Sequence, residues 1–114
     1  MNEIELKHQF SNIQYFEQLR AQVEKDFALV GLQVDFSKCS DLEKLEKHLL
    51  EDLRYFSINQ AQALVQLFYS IDLNENRLEQ MLQDGQDNYY RQLAQAILQR
   101  EAQKVILRIH YSSH

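Results

Sequence analysis

The chain has 114 residues, 45% of them hydrophobic and 25% charged, with a formal net charge of −5. That length fits one domain, residues 1–114, with a core that needs no metal or disulfide, and the composition excludes wholesale disorder. Two glycines, no prolines and 15 glutamines argue against an all-β fold, whose tight turns consume Gly and Pro, while the acidic balance argues against nucleic acid as a partner.

The first predicted helix follows Ile13, Phe16, Leu19, Val23, Phe27 and Val30, apolar residues at three- and four-residue steps, and Gly31 stands where a left-handed C-terminal cap belongs. Two capping boxes compete for its start, Ser11 with Gln14 and Asn2 with Glu5. Leu32 to Cys39 reads as a connecting loop that turns Val34 and Phe36 onto the core.

A second helix is predicted from Ser40 as N-cap, with Glu43 three residues on and a buried stripe of Leu42, Leu45, Leu49, Leu53 and Phe56. Ser57 and Gln60 form a further capping box, so the chain turns there without a true loop. The third helix carries a wide stripe of Ile58, Ala61, Leu64, Val65, Leu67, Phe68 and Ile71. Asp72 with Glu75, or Asn74, then caps a short helix bearing Leu78, Met81 and Leu82, which Gly85 ends. Asp87 caps the last and longest helix, Asn88 to Tyr111, whose apolar face drifts from Tyr90, Leu93, Ala94 and Ile97 to Leu98, Ala102, Val105, Ile106 and Ile109. The predicted architecture is all-α, a compact helical bundle of four main helices plus one short helix.

The single cysteine, Cys39, allows no internal disulfide and fits a reducing compartment. Met1 to Phe10 lacks the apolar region of a secretory signal, and no stretch approaches the roughly 20 apolar residues of a membrane span. The expectation is a cytoplasmic protein without membrane contact.

Chemical motifs are sparse. A di-metal bundle needs two Glu-x-x-His motifs, and only Glu5 with His8 has that spacing; His48 with Glu51 reverses it. His110 and His114 stand four apart at the chain end. Cys39 precedes a helix start, which lowers a thiol pKa, yet Asp41 and Glu43 oppose that effect. No serine sits in a Gly-x-Ser-x-Gly turn, and two isolated glycines build no phosphate-binding loop. No catalytic residue, metal or cofactor is assigned, and the protein is read as not an enzyme.

Two features point towards a protein contact. Arg100, Lys104 and Arg108 lie four apart on one face of the last helix, suited to an acidic surface or to pairing with Glu43, Glu46, Glu51 or Asp52 of helix two. Tyr89 and Tyr90, adjacent on a helix and followed by Arg91, cannot both be equally buried, and an exposed Tyr suits an interface. The sequence therefore reads as a non-catalytic protein-interaction or regulatory module, with a protein partner or a second copy of itself. Tyr89, Tyr90, Arg91, Arg100, Lys104 and Arg108 are its candidate contact residues. The alternatives are a small acidic inhibitor or immunity-type protein masking a basic target, and a helical small-molecule-binding protein.

Overall fold

A computed structural model describes residues 13–83 and 85–112. Among these residues it is an all-α bundle of five helices: α1 (Ile13–Leu29), α2 (Leu42–Asn59), α3 (Ala61–Ser70), α4 (Glu75–Gln83) and α5 (Gln86–Ser112). The two candidate starts of the first helix at Asn2 and Ser11, the Glu5–His8 pair and His114 lie outside the described residues.

Helix α1 ends as its sequence predicts. Gly31 takes φ +84, its N–H donates to Ala28 and the Leu32 N–H donates to Phe27. This crossed pair of bonds satisfies the orphan carbonyls of the last turn. The loop beyond is anchored by two α1 side chains. Arg20 donates to the carbonyls of Phe36 (3.3 Å), Ser37 (3.1 Å) and Cys39 (2.9 Å), while Glu24 accepts from the Phe36 N–H (3.1 Å). Leu32 and Phe36 are thereby buried, with Val34 half-buried. Phe36 meets the His48 ring edge-on at 5.2 Å between centroids.

The cap of α2 is Asp41, one residue after the predicted Ser40. Its carboxylate accepts from the Lys44 N–H at 2.8 Å, whereas the Ser40 hydroxyl accepts from Lys44 Nζ. A carboxylate at this end also opposes the positive pole of the helix dipole, which a hydroxyl cannot do. The stripe Leu42, Leu45, Leu49, Leu53 and Phe56 is buried as predicted. Ser57 caps nothing. It lies inside α2, which runs on to Asn59, and the break falls at Gln60 with φ −142 and ψ 49 and no side-chain cap.

Helix α3 buries a narrower face than its sequence suggested. Leu64, Leu67, Phe68 and, just beyond, Ile71 are inside, but Ile58, Ala61 and Val65 are exposed. Ile58 belongs to the end of α2 and faces outward. After α3, Asp72 adopts φ +63 and the Leu73 N–H donates back to Phe68, so Asp72 plays the part that Gly31 plays after α1. Asn74, not Asp72, caps α4: its side-chain oxygen accepts from the N–H groups of Asn76 (2.8 Å) and Arg77 (3.2 Å). Met81 is the buried residue of α4, and Leu82 is exposed.

Helix α5 starts at Gln86, ahead of the predicted Asp87 cap, because the Gly85 carbonyl already accepts from the Tyr89 N–H. It packs against α1, α2 and α4. Its drifting apolar face is that of a helix with neighbours on several sides, and Leu93, Ala94, Ala96, Ile97, Leu98, Ala102 and Val105 are all buried.

Truncating Leu49, fully buried in α2, to Ala is expected to cost about 2–5 kcal/mol in urea unfolding. Asp41→Ala should cost about 1 kcal/mol, and Ser40→Ala distinctly less; the reverse order would restore Ser40 as the cap.

Candidate functional site

The six residues singled out by sequence fall into two groups, and most of their polar atoms are engaged inside the chain. Tyr90 is buried. Its hydroxyl lies 2.6 Å from the Ser57 hydroxyl, tying the start of α5 to α2, and the Arg54 guanidinium sits 5.7 Å over its ring. Tyr89 is half-buried, its ring 5.2 Å from that of Tyr90, and burial pushes its phenol above the usual range. Arg91 is exposed.

The basic row on α5 does not reach the acids of α2. Arg100 Nε donates to the Ile71 carbonyl (3.0 Å) at the end of α3, and its guanidinium lies 3.8 Å from Asp72. Lys104 meets Asp26 of α1 at 3.1 Å, and Arg108 donates to Gln22 of α1 at 2.7 Å. The reason is topological: the C-terminal half of α5 lies along α1. On the α2 side Glu46 is met instead by Gln95, at 2.9 Å.

Between α1 and α5 these bases complete a polar network with a fully buried acid, Glu101, 1% exposed. Gln22 donates to Asp26 (3.1 Å), and Lys104 Nζ, 3.1 Å from Asp26, also approaches Glu101 (3.7 Å), so the two carboxyls share one ammonium. Glu101 Oε2 is buried without a donor. In the sequence Glu101 stands out only as the one acid between residues 88 and 114, among the bases of the last helix.

The residues named for metal or nucleophilic chemistry are dispersed. His48 pairs with Asp52 at 3.0 Å. Cys39 is buried with its thiol donating weakly to the Lys44 carbonyl (3.8 Å), and burial pushes that thiol above its ordinary pKa. Among the described residues, no three His, Cys, Asp or Glu side chains gather as metal ligands, and no helix is long and apolar enough to cross a membrane.

What the sequence missed is a groove between α3 and α4. Phe68, Leu73 and Leu78 form its apolar floor, while Val65 (47% exposed) and Tyr69 (68% exposed) stand one turn apart on its α3 wall. Glu75 and Glu79, also one turn apart, line its α4 side, and its volume is about 280 Å³. At the Asn74 end it adjoins a polar hollow to which Asp72 contributes a third carboxylate. Arg77 faces away, into a separate hollow with Arg100. The available signal was the width of the α3 stripe: Ala61, Leu64, Val65, Leu67 and Phe68 together span more arc than one short helix can bury.

Comparison with known proteins returns no match to a family model, a curated protein or a solved structure.

Replacing Tyr90 by Phe removes the hydroxyl that joins α5 to Ser57, and is expected to cost about 1 kcal/mol in denaturant unfolding. A variant as stable as the parent would mean that this bond contributes nothing net.

Proposed function

We propose that this chain is a non-catalytic protein-interaction module whose α3–α4 groove receives an apolar segment of another protein flanked by Lys or Arg. The observation that carries this reading is the groove itself, in which exposed Val65 and Tyr69 adjoin a half-covered apolar floor under an acidic rim. Singly exposed apolar residues are ordinary on a protein surface. A contiguous strip with a floor is different, because water over it is displaced when a side chain enters. Tyr69 suits such a contact, since its ring supplies rigid area at small entropic cost.

Size and charge define the occupant. Small-molecule sites usually enclose about 300–1,000 Å³ and bury most of the ligand. An open groove of about 280 Å³ instead accommodates one or two side chains of a longer segment. Glu75, Glu79 and Asp72 on one side favour basic flanks and disfavour acidic ones, in keeping with the net charge of −5. The earlier candidates Arg100, Lys104 and Arg108 contribute little here, since each has a partner within the chain.

A displayed random-peptide library selected on the immobilised protein tests this. Selected peptides should carry one or two large apolar residues next to Lys or Arg. Their affinity should fall on addition of salt, fall about tenfold or more with Tyr69→Asp, and fall with Glu79→Lys while helical circular dichroism is unchanged. Peptides without basic residues, or binding indifferent to both substitutions, would overturn the assignment. Light scattering should give 13.6 kDa at high concentration; a dimer that Tyr69→Asp dissolves would make a second copy the occupant instead.

A further inference from the structure

We propose that Glu101 and Asp26 form a proton-sharing latch between α5 and α1, closed while one proton bridges the two carboxyls and released when both are ionised. The geometry carries this inference independently of the groove. Two carboxylates, one of them 1% and the other 8% exposed, lie within 4 Å of the same ammonium, Lys104 Nζ, at the interface of α1 and α5. An ionised carboxylate only accepts hydrogen bonds, so two of them in contact repel and leave oxygens unsatisfied. Glu101 Oε2 is that unsatisfied oxygen. A proton on Glu101 turns the side chain into a donor towards Asp26 and removes the repulsion at once.

The surrounding charges are sufficient for one carboxylate and not for two. Lys104 Nζ lies 3.1 Å from Asp26 but 3.7 Å from Glu101, and Gln22 donates to Asp26. Arg108 reaches the network only through Gln22. Among the described residues no other neighbouring element supplies a compensating base. Helix α3 carries no charged residue, and on α2 Glu46 is engaged by Gln95 and Asp52 by His48. On the other side Arg100 is turned towards Ile71 and Asp72, next to Arg77 of α4. Asp26 is accordingly the ionised member. Burial alone would raise its pKa, but hydrogen bonds from Glu101, Lys104 and Gln22 together hold it below the ordinary value. Burial, then Asp26, pushes Glu101 up to about 8.

The sign of the resulting pH dependence follows. An acid whose pKa is raised by folding keeps its proton in the folded state after the unfolded chain has lost it. Between the ordinary 4.5 and about 8, folding takes up one proton, and the folding equilibrium constant falls up to about tenfold per pH unit. Asp26 has the opposite sign: its contribution is present above the ordinary 3.8 and is lost as pH falls through its lowered value. The two windows do not overlap, so between pH 6 and 8 the difference between the chain and a Glu101 variant reports Glu101 and not Asp26 or the histidines, which both share.

Urea unfolding of the chain and of Glu101→Gln across that range is the test. The folding constant of the parent should fall up to about a hundredfold more than that of the variant, whose amide keeps the donor and cannot ionise. Parallel pH curves would overturn the latch. Should Glu101→Gln fail to fold, carbon-13 NMR of the unaltered chain decides: the Glu101 carboxyl should titrate near 8, and titration alongside the surface glutamates would equally overturn it.

Discussion

The whole molecule depends on burying one long helix. Helix α5 has 27 residues, about 40 Å of rise, and it packs against α1, α2 and α4. Such an element cannot carry a single apolar stripe, since its neighbours lie at different azimuths along its length. Alanines at 94, 96 and 102 let those neighbours approach closely, while Leu93, Ile97, Leu98 and Val105 fill the space between them. The polar side chains that remain on α5 are then constrained to find partners on whichever helix faces them.

That constraint explains where the charges go. A row of bases four residues apart looks like a surface for an external acid, yet on a central helix it faces other helices. Arg100 satisfies a carbonyl at the end of α3, and Lys104 and Arg108 serve α1. Arg20 and Glu24 do the corresponding work for the loop after α1, whose backbone groups would otherwise be poorly satisfied where Phe36 enters the core. Side chains used to complete the fold are poorly placed to recognise anything else.

What is left over lies on the short helices. Helix α4 has one buried side chain, Met81, and does not cover the outer side of α3, so Val65 and Tyr69 remain in solvent beside Leu73 and Leu78. The groove and the buried acid pair are opposite results of the same economy of packing. One is apolar surface that no described helix covers; the other is polar surface buried between helices. The first suits recognition and the second suits a response to protons, each because its environment is the wrong one for its chemistry.

Local chemistry was legible from the residues alone. The α2 stripe from Leu42 to Phe56, the Gly31 cap, the tucked Phe36 and the all-helical class each follow from periodicity or a single backbone preference, which neighbours in sequence fix. Cap choice was less legible, because Ser40 and Asp41, or Asp72 and Asn74, offer similar side chains one turn or less apart, and only the path of the chain selects between them. How the helices turn towards one another was not legible. Whether Val65 or Ile58 is inside, whether Tyr90 reaches Ser57, and whether Lys104 meets Asp26 across 78 residues depend on how the helices are arranged. The helices and the buried stripe of α2 follow from the residues, since these arise from contacts within a few positions. The tertiary structure alone decided which apolar residues stay exposed and which acids are buried together, because burial is a property of the assembled helices and not of any one of them.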